Sequence, residues 1–432
     1  MGGPETVSFE VIRDPIWNNI RVDELALAVV DSAPFQRLRY VRQLGHAFLV
    51  YPGASHSRFE HALGAYHLAR RALSLLGERG ELQRVPAADV ALIPLAALLH
   101  DIGHYPFSHA LEEAGLPSHE SLAREHFGEP QLAGAIANTG IPDATHELAA
   151  LIAGVSRSPL RGLISGSLDL DKIEYLTRDA RMCGVPYGTV DVDRLLHSLT
   201  IVTAPGEAPA VGVHEKGVSA LESLLFAKYQ MYRNVYWHHA VRAATAMFKR
   251  LVRQAIARGD LDPQWIAHST DEALMESLRT MGDALADRLR RRRLYKRALD
   301  LPAAEVPDGA GEWIGAEPAL VERVEDRLAT ELGLPAGALL LDFPAKPEML
   351  AVELPVVTRG GRTARLSDDA IPGLLGLQQV AEELHTNARR LRVFAAEPAV
   401  IDVGAVLAVA ERSAAEMDAD LEAGGLLVRS KK

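Results

Sequence analysis

At 432 residues, with 48% hydrophobic but only 6% aromatic residues, the chain is too long for one compact core and reads as a mainly helical globular protein of two or three cooperating units. A formal charge of 46 minus 57, or −11, argues against a nucleic-acid partner, although a local basic cluster could still receive a small anion. No apolar run reaches membrane-spanning length and no basic-then-apolar signal opens the chain. The single Cys183 excludes an internal disulfide and a thiolate metal cluster, so a cytoplasmic protein with no membrane association is expected, with His and carboxylates left for any metal chemistry.

Residues 7–14 and 19–22 alternate as the strands of a short N-terminal hairpin, with Asp14-Pro15 as its turn. Helical spacing follows over residues 24–30 and 34–44, with Pro34 suited to a first helical position. The loop of residues 45–57, with its Pro52-Gly53 pair, leads into a long helix over about 58–76. A further helix over 87–99, kinked or started late by Pro94, ends at His100-Asp101, and Ser118 can cap the helix after the loop that follows. Residues 148–155 read as helix, 199–203 and 210–213 as paired strands around Pro205-Gly206, and 218–258 as one long helix. Beyond Gly259 the pattern mixes strands (339–343, 349–357, 391–394) with helices (371–390, 399–412) and a turn near Gly360-Gly361, a smaller C-terminal α+β region. The basic run 288–296 reads as a solvated face or an inter-subunit contact. The expected division is residues 1–258 and 259–432.

Nine of the sixteen His fall between His46 and His126, which points to a site. Residues 100–109 alone hold three imidazoles and a carboxylate, directly after a helix that should be buried. A buried charge needs a partner, and His nitrogen with Asp oxygen suits Mn, Fe, Zn or Ni better than Ca or Mg. Adjacent helical residues point about 100° apart, so His100 and Asp101 can share an ion only where the helix ends, and Gly103 supplies that ending. His61, on the helix begun at Arg58, is the best third ligand. Asp171 is the best fourth, because it heads a stripe of Asp171, Tyr175 and Asp179 at i, i+4 and i+8. His56 and His67 read as satisfied helix residues.

The strings Phe35-Gln36-Arg37-Leu38-Arg39-Tyr40 with Gln43-Leu44-Gly45, Pro52 through His61, residues 100–109, and Asp169-Leu170-Asp171-Lys172 with Tyr175 and Arg178-Asp179 resemble the HD-domain deoxynucleoside triphosphate triphosphohydrolases. That family includes bacterial dGTPase-like enzymes and the vertebrate SAM-and-HD-domain enzyme, whose SAM domain is not expected here. The resemblance runs from about Asp14 to about His238 and implies an HD-domain helical core, making residues 1–258 the catalytic unit and 259–432 a unit for oligomerisation or regulation. It implies a divalent ion (Mn, Fe, Mg, Zn or Ni) held by His61, His100, Asp101 and Asp171. Arg58, Lys172 and Lys228 match triphosphate-binding positions, Tyr175 and Asp179 face the sugar, and Gln43 and Leu44 line the nucleoside pocket, with His109 and Tyr236 also set against the substrate.

The family reaction, attack at the α-phosphorus releasing deoxynucleoside and tripolyphosphate, needs a proton donor for the departing 5′ oxygen. His104, His109 and His119 are the imidazoles available, and His119 working with Glu112 or Glu120 is the choice for acid/base work. A homo-dimer or homo-tetramer and a nucleotide effector are also implied. The chain departs from the family at Glu10, which stands in place of a phosphate-binding Lys, and at Tyr232, in place of a His. Two other readings compete: an HD phosphohydrolase acting on a monophosphate, an alarmone or a cyclic dinucleotide, and a nucleotide sensor without turnover.

Overall fold

The computed structural model describes residues 9–203, 206–345, 354–365 and 377–428. Parts of three expected elements lie outside these: residues 7–8 of the hairpin, 349–353 of a strand and 371–376 of a helix, together with Pro205 of a turn.

The fold is mainly α. The N-terminal hairpin pairs β1 (Phe9–Asp14) with β2 (Asn18–Asp23), closed by Asp14, whose Oδ1 accepts from the Ile16 and Trp17 N–H groups. Helices α1 (Glu24–Val30) and α2 (Ala33–Arg37) follow, then α3 (Arg58–Glu78), at whose start the Glu60 carboxylate accepts from both the N–H and the hydroxyl of Ser57. Helix α4 (Ala87–Leu99) continues through Pro94 and is apolar on nearly every side, because α3 and α7 (Ala144–Ile152) enclose it. Between α4 and α7 lie α5 (His119–Phe127) and α6 (Pro130–Ala137). Ser118 precedes α5 as expected but caps nothing, its hydroxyl meeting that of Ser121 instead. Helix α8 (Leu170–Cys183) is capped by Asp169, which accepts from the Lys172 N–H, and α9 (Val192–Ser198) leads into the antiparallel pair β3 (Leu199–Val202) and β4 (Ala210–His214).

The expected single helix over 218–258 is broken. It divides into α10 (Val218–Met231), a π-helical turn at Tyr232–Tyr236 and α11 (His239–Ala257). The Trp237 N–H reaches back to the Tyr232 carbonyl, a five-residue step that periodicity cannot register.

After α11 come α12 (Pro263–Ala267), α13 (Asp271–Thr280) and α14 (Ala284–Arg290). The C-terminal part contains β5 (Lys296–Pro302), α15 (Glu312–Ala316), α16 (Pro318–Glu331), β6 (Leu339–Asp342), β7 (Pro355–Val357), β8 (Thr363–Arg365), α17 (Leu377–Ala388), β9 (Arg390–Ala395), α18 (Val403–Ala410) and α19 (Ala414–Glu422). Its strands serve two sheets. One is the antiparallel β5-β9-β6; the other is β3-β4-β7-β8, in which β7 runs parallel to β4 and ties the C-terminal part back to the helical core.

Among the described residues, three large hydrophobic cores and one small cluster at Ala47, Ala54 and Val241 result. The largest joins α3, α4, α7, α8 and α10, the second packs α11, α13 and α14 beneath Tyr105 and Phe107, and the third lies between the β5-β9-β6 sheet and α16, α18 and α19. The motif loop after α4 thus sits where the first two cores meet. In the basic run, Arg292 binds the Leu49 carbonyl and Arg288 that of Ala396, contacts within the chain. No helix among the described residues is long and apolar enough to cross a membrane.

Candidate metal centre

Three elements converge at the end of α4. His100 and Asp101 leave it, His61 arrives from the first turn of α3, and Asp171 stands in the first turn of α8. His61 Nε2 and His100 Nε2 lie 3.1 Å apart, and Asp171 Oδ1 is 3.0 Å from the first and 3.5 Å from the second. Asp101 places Oδ2 3.5 Å from His61 Nε2 and Oδ1 3.4 Å from His100 Nε2. Ligands about 2.0–2.2 Å from one ion stand roughly 3.0–3.5 Å from each other, so the donor set fits such an ion. His61, His100 and Asp101 form a mutually close, buried group; Asp171 meets it through the two imidazoles.

The tautomers reinforce the fit. His61 Nδ1 faces Glu174 Oε2 at 2.5 Å and His100 Nδ1 faces the Ala97 carbonyl at 2.8 Å, so each Nδ1 donates and each Nε2 is left as a lone pair. Two lone pairs 3.1 Å apart require a cation or a proton between them. Burial alone would lower the His61 pKa, yet hydrogen bonds to Asp171 and Glu174, with the charges of Glu174 and Asp101, lift it to about 10. The pocket demands positive charge. Arg58 meets part of that demand, its Nη1 lying 2.5 Å from Asp101 Oδ2.

Gly103 acts differently from expectation. The sequence read it as the residue that ends the helix, but α4 already ends at Leu99, and a Cβ at Gly103 would stand 2.1 Å from the His119 carbonyl and 2.7 Å from the Ala123 nitrogen. Its bareness lets α5 close over the motif loop. That approach stacks His119 on His104, with ring centroids 3.7 Å apart. Glu112 accepts from His119 Nδ1 and His109 Nδ1, each at 2.7 Å, and its carboxyl is held far below the usual range by both. His104, His109, Glu112 and His119 form a second group able to hold a metal. His104 is fully buried, with Nε2 3.2 Å from Asp101 Oδ1; burial first, then Arg58 and His119, keep its pKa well below the usual range and the ring neutral. His109 is largely exposed, and Glu120 reaches His119 only at 3.4 Å, at the rim.

Along α8, Tyr175 and Asp179 form one wall with the π-helical turn. The Tyr236 hydroxyl donates to Asp179 Oδ2 at 2.7 Å, while His56 Nε2 meets Asp179 Oδ1 at 2.8 Å. His56 is satisfied, as expected, but from the loop before α3 and not from a helix. Tyr236 also packs edge-on against Tyr175 and Tyr232. Lys172 is held by Asp169 Oδ2 at 2.5 Å and the Gly166 carbonyl at 3.0 Å. Burial, and next the charge of neighbouring Lys172, push the Lys228 amine down to about 8; Lys172 itself stands three residues before Tyr175 on α8. Gln43 is buried, with an Oε1 that has no partner among the described residues; Leu44 beside it is half-buried.

Three supporting residues, Glu174, Trp17 and Asp271, escaped the motif reading, and a fourth, Arg37, stood in a motif string without a role. Glu174 shares the stripe of α8 three residues after Asp171, a spacing that could have flagged it, and its place is opened by Gly64, where a Cβ would lie 2.0 Å from Glu174 Oε1. Trp17 of the hairpin turn donates to the same carboxylate. Arg37 donates to the Ile102 and His104 carbonyls, each at 2.9 Å. Asp271, from α13, accepts from the Phe107 N–H at 2.8 Å and holds the left-handed backbone at Phe107 and Ser108 (φ 59 at both). No local pattern announces a contact between residues 107 and 271.

Residues 58–176 match the HD domain, and residues 190–411 match the HD associated region. An uncharacterised protein of Methanocaldococcus jannaschii is 34% identical over 384 residues, covering 88% of this chain and 77% of its own length. The chain belongs to the HD-domain phosphohydrolase family. This HD-domain protein is also 27% identical over 269 residues to the human deoxynucleoside triphosphate triphosphohydrolase SAMHD1, over 54% of the chain and 42% of that enzyme, less than half its length. The crystal structure of a hypothetical protein from Aquifex aeolicus shares the fold at a TM-score of 0.69 and 28% identity, covering 90% of this chain and 96% of that one. HD-domain phosphohydrolases use divalent metals, and this one carries His-carboxylate clusters able to hold an ion.

Proposed function

We propose that this phosphohydrolase hydrolyses deoxynucleoside triphosphates to deoxynucleoside and tripolyphosphate, with His61, His100, Asp101 and Asp171 as metal ligands. The observation that carries the reading is the wall of Tyr175, Tyr236 and Asp179 beside Asp171, with Lys172 and neighbouring Lys228. A phenol pair and a carboxylate suit a sugar without a 2′-hydroxyl, and two amines suit a polyphosphate tail. The unpartnered Gln43 Oε1 suits a donor on the base. The resemblance to the human enzyme supports the same assignment.

A bound divalent ion supplies Lewis-acid polarisation of a phosphoryl oxygen and a more acidic water. The chain's own groups do the rest. Arg58 and the lysines orient the triphosphate, and His119, braced by Glu112 and stacked on neutral His104, gives a proton to the 5′ oxygen as the α-phosphorus bond to it breaks. Glu120 at the rim is the further proton acceptor. The test is incubation with each dNTP and Mn²⁺ or Mg²⁺, followed by separation of the phosphorus products. Tripolyphosphate with free deoxynucleoside is expected. Orthophosphate or pyrophosphate overturns the assignment in favour of another nucleotide substrate, and tight binding without turnover makes the protein a sensor.

A further inference from the structure

Glu174 is fully buried, yet every oxygen it carries is engaged by a different part of the chain. Oε2 meets His61 Nδ1 at 2.5 Å, while Oε1 accepts from Trp17 Nε1 at 2.9 Å and from Arg178 Nε at 2.7 Å. Arg178 in turn lies 3.0 Å from Asp14 Oδ2, and Asp14 is the residue that closes the hairpin turn bearing Trp17. Gly64, one turn beyond His61 on α3, leaves space for the carboxylate beside the ring, since a Cβ there would overlap Oε1, Cδ and Cγ of Glu174 at 2.0, 2.6 and 2.8 Å. The arrangement therefore runs from the hairpin turn through one carboxylate to the back of an imidazole whose front faces His100 and Asp171.

We propose that Glu174 is a positioning residue for the metal centre, fixing the tautomer and orientation of His61, and that the N-terminal hairpin turn is a working part of that centre through Trp17 and Arg178. The proposal rests on His61 being a ligand, and is independent of which nucleotide is hydrolysed. An imidazole whose Nδ1–H is anchored by a carboxylate presents a more basic Nε2 already aimed at the ion. In Glu174→Gln the amide oxygen can keep Trp17 and Arg178 only if its NH₂ faces His61 Nδ1, which moves the ring proton to Nε2 and turns the lone pair away from the ion. Trp17→Phe is the gentler change: it keeps an aromatic ring in the turn and leaves the Glu174–Arg178 pair intact while removing one donor.

The full chain is stripped with a chelator, and Mn²⁺ affinity is measured by titration calorimetry without nucleotide, alongside the Tm of the stripped protein. Loss of the site in His61→Ala identifies which binding event belongs to it. Glu174→Gln is expected to weaken that event about 10- to 100-fold. Trp17→Phe is expected to weaken it about fivefold, the loss of one hydrogen bond, with Tm within a few degrees of the parent. Wild-type affinity in both variants overturns the proposal and leaves Glu174 as a structural partner of Arg178. If Glu174→Gln does not fold, Trp17→Phe decides alone by the same criterion. Undiminished binding in His61→Ala overturns the ligand assignment instead, and the proposal with it.

Discussion

Asp101 binds three imidazoles and a guanidinium: His61, His100, His104 and Arg58 all lie within 3.5 Å of its oxygens. Asp101→Ala is expected to lose metal and activity together, read by elemental analysis of the purified protein beside the product assay; a variant that keeps its metal and turns over normally removes Asp101 from the ligand set. Buried Arg58 would also lose its carboxylate, so Tm should fall as well. At the other end of the site, Tyr236→Phe deletes the donor to Asp179 without changing ring volume. A charge-assisted bond contributes about 1.5–3 kcal/mol, so kcat/KM for deoxynucleotides should drop roughly tenfold or more, while metal affinity stays at the parent value. An unchanged kcat/KM would show that the Asp179–Tyr236 pair does not meet the substrate.

At the scale of elements, the motif loop is positioned from both sides. Arg37 binds its carbonyls from α2, and Asp271 of α13, whose sequence lies beyond the HD match, accepts from its Phe107 N–H. Burial raises the Asp271 pKa to about 6, so the loop is braced by a carboxylate held at some cost. Asp271→Ala leaves the Phe107 and Arg42 N–H groups without their acceptor. A loss of about 2–4 kcal/mol in unfolding free energy is expected, with a fall in kcat as His104 and Ser108 lose their support. Equal stability and kcat would mean that the loop holds itself. The π-helical turn is a second such device, since it delivers Tyr232 and Tyr236 to the wall at the point where the helix changes from the first core to the second.

For the molecule as a whole, buried neutral imidazoles contribute to the response to acid. Burial first, then Arg42, lowers His46 to about 3; burial first, then Arg37, lowers His126 to about 3. An unfolded His titrates near 6.5, so between about pH 6.5 and 3 the unfolded chain takes the proton first. Stability is then fully present above pH 6.5 and declines as pH falls below it. Each group accounts for about 2 kcal/mol at pH 5. Unfolding by denaturant at pH 7.5 and pH 5 should show a smaller acid loss in His126→Leu than in the parent, and parallel losses in the two proteins would exclude His126 as a source.

Much of this protein is legible from its residues alone. The hairpin, α1, α3 and α4 follow from local spacing, and His61, His100, Asp101 and Asp171 stand out because charged groups interrupt faces that are otherwise apolar. Helix periodicity and ligand chemistry are properties of neighbouring residues, so they need no fold to be read. Glu174 behind His61, Asp271 beneath Phe107, His56 against Asp179 and the return of β7 to β4 were decided only when distant segments packed. Each of these depends on how closely two backbones approach, as Gly64 and Gly103 show, and that distance is set by the whole core, which no local stretch of sequence contains.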